Sequence, residues 1–138
     1  MSISSNIVVF ACNWDGLSCV EGAARAGLSY PASVRVVRVT CLSRVHQGLM
    51  LKAFELGAEG VILLGCEPGN CHFDMDHELV AREHEKAHGL LRLLGVNEGR
   101  LVLARMPRGD GAGFVRAVTG LLQAIEQEKA ASPAVAQR

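Results

Sequence analysis

Four runs of apolar, largely β-branched residues divide the chain: Ile7–Ala11, Val34–Thr40, Gly60–Gly65 and Arg100–Met106. They are continuous rather than alternating, as expected of strands covered on both faces in a parallel sheet. Between them the apolar positions fall into the helical period. Val45, Leu49 and Ala53, with Met50 and Phe54 beside them, make one stripe behind Ser43, a residue type that caps helices. Val80, Ala87, Leu91 and Leu94 make a second, closed by Gly95. Phe114, Val118, Leu121, Leu122 and Ile125 make a third, with Asp110 placed to cap it. The Ala/Gly-rich segment Cys19–Gly27 predicts a shorter helix.

Strand and helix therefore alternate four times, which implies right-handed βαβ units. The fold class expected is α/β: an open three-layer sandwich around a parallel sheet of four or five strands, flavodoxin-like or Rossmann-like. Residues 1–128 are expected to form this single domain. Residues 129–138, small and polar with a proline, are expected to be a flexible C-terminal tail. Hydrophobic residues make up 49% and charged residues 20% of the 138, the balance of a folded domain rather than a disordered one. Fourteen Lys and Arg offset fourteen Asp and Glu. That neutrality leaves no electrostatic footprint for nucleic acid or an anionic membrane. No apolar run reaches membrane-spanning length. The opening MSISSNIVVFACN has neither a basic n-region nor a signal cleavage pattern, so a cytoplasmic location is expected.

Five cysteines change the picture. An odd number without a secretion signal argues against a disulfide framework and for metal or redox chemistry. Cys12, Cys41 and Cys66 each follow a predicted strand, and Cys71 lies five residues beyond Cys66 in GCEPGNCH. The carboxyl ends of parallel strands open onto one edge, where open α/β folds bind ligands at a switch point. Four thiols are thus expected on one rim, with Cys19 within reach of it or packed as a small buried hydrophobe. Thiolate sulfur selects iron–sulfur clusters, zinc or copper(I), and a [2Fe–2S] cluster commonly takes four cysteines. Gly65, Pro68 and Gly69 let backbone pass close to such a group. His72 suits a hydrogen bond to it from outside the ligand set, or metal ligation in its own right. Trp14 is a candidate cover for its edge, or core.

Other motifs compete less well. His84-Glu85-Lys86-Ala87-His88 reads H-E-x-x-H, but charged neighbours crowd it and no third ligand or cleft is evident. With His77 two turns earlier, an adventitious surface metal site suits it better than catalysis. Arg35, Arg38 and Arg44 suit either a docking face or a solvated edge. Gly109–Gly113 opens a helix without the spacing of a nucleotide fingerprint.

The segments Phe10–Trp14, Val34–Val45 and Lys52–Phe73, and the helix end LLRLLGV, resemble the delta subunit of methyl-viologen-reducing hydrogenase. The resemblance runs from about Ile7 to Ile125. It implies a [2Fe–2S] electron-transfer subunit, not a free-standing enzyme, that links a hydrogenase or formate dehydrogenase to a heterodisulfide-reductase-like flavoprotein. It implies iron ligation by Cys12, Cys41, Cys66 and Cys71. Two departures stand out. Asp15 occupies the position of a family cysteine, with Cys19 four residues later as a candidate replacement. Cys41-Leu42-Ser43-Arg44 replaces a C-S-G-R pattern. Three cysteines with an oxygen ligand, or a degenerate site without metal, are also compatible with these changes. A thiol or sulfur carrier using Cys66 and Cys71, and a zinc-binding interaction module, are the alternative functions.

Overall fold

The computed structural model describes residues 5–131. In chain order the elements are β1 (Ile7–Cys12), α1 (Asp15–Arg25), β2 (Val34–Val39), α2 (Gln47–Glu55), β3 (Gly60–Gly65), α3 (His77–Leu93), β4 (Leu101–Arg105) and α4 (Gly111–Ala131). Short 3-10 turns at Leu42–Arg44 and Glu98–Arg100 precede α2 and β4.

The described strands form one parallel four-stranded sheet in the order β2-β1-β3-β4. Val9 pairs with Val36 on one side and Ile62 on the other, which fixes the register of the centre. Helices α1 and α4 pack together on one face, and α2 and α3 on the other. The expected three-layer α/β sandwich is therefore the observed fold.

The burial pattern follows from this order. All six residues of β3 are buried, and β1 is nearly so, because both strands have neighbours on each side and helices above and below. Val9, Ala11, Ile62 and Leu64 face Ala23, Phe114, Val118 and Ile125. Phe10, Val61 and Leu63 face Met50, Ala87 and Leu91. The edge strands admit charge: Arg35 and Arg38 lie in β2, and Arg105 ends β4. The chain steps outward from β1 to β2, then crosses back over β1 to reach β3. The switch point is therefore between β1 and β3.

Several local expectations are corrected. Helix α1 begins at Asp15, four residues before the predicted start, and Cys12 is the last residue of its strand rather than beyond it. Ser43 lies in the 3-10 turn, and His46 caps α2 instead, its Nδ1 accepting from the Gly48 N–H at 3.0 Å. Asp110 does cap α4, accepting from the Gly113 N–H at 2.9 Å. Leu94 follows α3 and is exposed rather than part of its core stripe. Residues 129–131 continue α4, with Lys129 paired to Glu59, so the tail does not begin at 129. The rest of the expected tail lies outside the described residues.

Candidate functional site

At the carboxyl edge of β1, β2 and β3 a cavity of about 40 Å³ is lined by Cys12, Cys41, Cys66 and Cys71. Cys12 is buried at the end of β1, and its Sγ accepts the Gly16 N–H from the first turn of α1 at 3.0 Å. The approach requires glycine. A Cβ on Gly16 would lie 2.4 Å from the Leu64 carbonyl oxygen and 3.1 Å from the Cys12 sulfur. Cys66 leaves the end of β3, directly after Gly65. The side chain of Leu42 occupies the space a Gly65 Cβ would fill, 2.4 Å from that position. Burying Leu42 there draws the neighbouring Cys41 across from β2 toward β3.

Cys71 returns to the rim through two turns. Glu67-Pro68-Gly69-Asn70 closes with the Asn70 N–H donating to the Glu67 carbonyl at 3.0 Å, and Gly69 has φ +85°. Proline then left-handed glycine is the pattern of a type II turn. Cys71-His72-Phe73-Asp74 closes likewise at 3.0 Å, with Asp74 in the left-handed region at φ 53°. Cys71 Sγ ends 4.0 Å from Cys41 Sγ, and all five cysteines are free thiols.

The thiols differ electrostatically. Burial, and then the neighbouring Cys71 and Cys12, push the Cys66 thiol up to about 12. Burial also acts upward on Cys71. There the backbone N–H groups of Met75 and Phe73, with the thiols of Cys41 and Cys66, outweigh it and hold Cys71 below the usual thiol range. Negative charge is thus best accommodated at Cys71.

Aromatic side chains roof the rim. Trp14 stacks on His72 with ring centroids 3.6 Å apart and planes 17° from parallel, and Phe73 meets both edge-on. Trp14 lines the cavity and is 40% exposed, so it is cover rather than core. His72 and Trp14 both stand beside the thiols as the sequence suggests.

Cys19 and Asp15 do not line this cavity. Because α1 starts at Asp15, Cys19 lies one turn inside the helix, fully buried on the face toward α4. Its thiol lies 3.2 Å from the Asp15 carbonyl oxygen and 3.3 Å from that of Pro107, and burial raises its pKa. The Asp15 carboxylate is also buried and accepts from Arg108 Nε at 2.9 Å. The expected place of Cys19 near the rim is therefore corrected, and both residues fasten α1 to the loop after β4.

Sequence reasoning missed Arg105, Glu67 and Asp76, which also line the cavity, and grouped His77 with His84 and His88 although it lines the cavity too. Arg105 was findable, since it ends β4 on the same edge. Its guanidinium donates to the His77 carbonyl at 2.8 Å and ties the start of α3 to the sheet. Among the described residues no group of three or more His, Cys, Asp or Glu is placed to hold a metal ion. The H-E-x-x-H histidines turn to β4, where Nε2 of His84 and of His88 lie 3.2 and 2.8 Å from the Leu101 carbonyl oxygen. Of the glycines after β4, Gly111 serves packing, since a Cβ there would lie 2.3 Å from Ala23 N, and Gly109 supplies a left-handed turn at φ +79°.

Comparison with known proteins gives a consistent result. The family model described as methyl-viologen-reducing hydrogenase, delta subunit, matches residues 7–127. The vhc iron–sulfur subunit of the F420-non-reducing hydrogenase of Methanococcus voltae is 32% identical over 120 residues, 87% of this chain and 83% of that protein. The iron–sulfur subunit of the F420-non-reducing hydrogenase of Archaeoglobus profundus is 36% identical over 114 residues, 83% of each. A subunit of the ferredoxin:CoB-CoM heterodisulfide reductase of Methanosarcina mazei is 25% identical over 121 residues, 88% of this chain but 15% of that protein.

Proposed function

The chain belongs to the methyl-viologen-reducing hydrogenase delta-subunit family, and from that premise we propose that it is a small electron-transfer subunit with a [2Fe–2S] cluster held by Cys12, Cys41, Cys66 and Cys71. It relays electrons between a hydrogenase or formate dehydrogenase-type enzyme and a heterodisulfide-reductase-like flavoprotein.

The observation that carries this reading is the convergence of four thiols from three strand ends on one small cavity. Two thiolates on one tetrahedral metal with bonds near 2.3 Å stand about 3.8 Å apart. Cys41 and Cys71 Sγ stand at 4.0 Å. The spacing of that one pair suits a shared thiolate-bound metal. A volume of about 40 Å³ suits a compact inorganic group, where organic cofactors need roughly 300 Å³ or more. Such a cluster supplies one-electron chemistry when bound. Around it, the Gly16 N–H satisfies Cys12, the turn amides satisfy Cys71, and Trp14 with His72 limits water.

The relatives support the partner. Two are named as iron–sulfur subunits of hydrogenases. In Methanosarcina mazei the matching stretch is part of a much longer heterodisulfide reductase chain, and domains fused in one chain commonly work side by side as separate chains. The test is to reduce the protein without oxygen and mix it with the oxidised flavin-containing component of a heterodisulfide reductase. Reoxidation of the chain with matching flavin reduction is expected. No exchange, with cluster and flavin both intact, would contradict the relay.

A thiol–disulfide carrier is the second reading, favoured by the contrast between Cys71 and Cys66 and the short reach from Cys71 to Cys41. Turnover of a disulfide substrate by the metal-free protein would support it.

A further inference from the structure

The two edges of the sheet are finished differently. Beside β4, the imidazoles of His84 and His88 stand within hydrogen-bond distance of the Leu101 carbonyl oxygen, and no residue of that strand is exposed. Strand β2 has no such cover. It pairs with β1 alone, and Arg35, Val37 and Arg38 are exposed. A bare edge strand presents a row of unpaired N–H and C=O groups to any chain that can lie along it.

Apolar surface continues from this edge. Helix α2 is short and packs toward α3, and a groove of about 480 Å³ opens between it and the strands β1 and β2. Val37, Leu49 and Leu56 line the groove and are 42%, 36% and 76% exposed. Leu49, Ala53 and Leu56 recur at the helical period, so α2 turns a second apolar stripe to the groove while Met50 fills the core. The thiols lie elsewhere, at the carboxyl ends of the strands.

Charge selects the occupant. Arg35 and Arg38 are in no ion pair among the described residues. Strand β2 reads Val-Arg-Val-Val-Arg-Val, the same in both directions. A second copy pairing antiparallel through this edge would therefore set arginine opposite arginine at both positions, which is destabilising. Sliding the register by one residue still leaves arginines diagonal to one another.

We propose that the β2 edge and its groove receive an extended segment of a partner protein, which pairs as a fifth strand with carboxylates opposite Arg35 and Arg38 and an apolar residue opposite Val37. Backbone hydrogen bonds along the free edge supply affinity, and the groove selects side chains. Arg35 shares the groove face with Val37, whereas Arg38 alternates to the other face. The segment must therefore carry its two acids three residues apart, one on each face of the sheet.

The test uses two capped, fluorescein-labelled peptides, Val-Glu-Val-Val-Glu-Val and Val-Lys-Val-Val-Lys-Val, which match the edge in either direction. Each is titrated with the intact protein and followed by anisotropy and amide hydrogen exchange. The acidic peptide is expected to bind about tenfold more tightly than the basic one and to protect the β2 amides. Arg35→Glu with Arg38→Glu should reverse that preference, a result unfolded protein cannot mimic. Leu56→Asp, on α2, should weaken binding of the acidic peptide, and it decides if the charge-swapped protein does not fold. The proposal is overturned if the two peptides bind alike, if neither protects β2, or if the swapped protein keeps the original preference. Wild-type protein that sediments as a dimer, and as a monomer after Val37→Asp, would assign the edge to a second copy and overturn it too.

Discussion

Cys66 and Cys71 are separated by four residues of turn and hold their protons very differently. With Cys66 pushed up to about 12 and Cys71 held below the usual range, metal-free protein at pH 8 should alkylate at Cys71 first. A short iodoacetamide pulse read by peptide mass spectrometry checks this, and equal labelling of the two would contradict it. Which cysteines meet was largely legible in the residues, because Cys12, Cys41 and Cys66 end or follow strands whose carboxyl ends must share an edge. Of the two readings of Cys19 the buried one holds, because α1 starts at Asp15 and carries Cys19 into the core. Gly16 lets α1 begin against the end of β3. The Asp15 carboxylate is spent on Arg108, not on the rim. Arg108 is largely exposed, so the pair is screened on that side. Asp15→Asn should therefore cost only about 1 kcal/mol by urea unfolding, comparable to one hydrogen bond, and leave any metal content unchanged.

At the scale of elements, α4 carries two glycines with opposite consequences. A Cβ on Gly111 would strike Ala23 backbone, while one on Gly120 meets nothing within 4 Å. Gly111→Ala should lose about 3 kcal/mol, at the upper end of overpacking costs, because backbone cannot move aside as a side chain can. Gly120→Ala should gain about 0.5–1 kcal/mol from helix propensity. Urea titrations of both variants test the pair. Helix α3 carries a pH dependence of its own. Burial, and then the adjacent His88, hold His84 below its ordinary pKa of 6.5. The unfolded chain therefore binds the His84 proton more readily than the folded one. The corresponding stability is fully present above pH 6.5 and is lost as pH falls below it toward the folded value. His84→Gln should flatten stability against pH in that window. The ends of these elements were the least legible in the sequence: His46 took the cap from Ser43 because its imidazole reaches the Gly48 amide where the 3-10 turn absorbs Ser43. Likewise α4 runs on to Ala131 because Lys129 finds Glu59 and Ser5 across the molecule, a long-range contact that local composition cannot announce.

Across the whole molecule, the strand order is what converts scattered cysteines into a site. Continuous apolar runs announced a parallel sheet, but not the order β2-β1-β3-β4, which depends on which way each crossover turns. That order puts β1 and β3 side by side, brings Cys12 next to Cys66, and leaves Cys41 to be drawn in by Leu42 packing over Gly65. Among the described residues no helix is long and apolar enough to cross a membrane. Trp14, Phe73, Met75 and Leu79 instead leave apolar surface exposed around the rim, as suits a protein that meets a partner there. All of this hinges on what the four thiols hold. Iron and acid-labile sulfide should be measured, with a visible spectrum, on protein purified without oxygen. About two iron and two sulfide per chain, the content of a [2Fe–2S] cluster, is the predicted result. Zinc, or four free rim thiols with no metal, would contradict the electron relay.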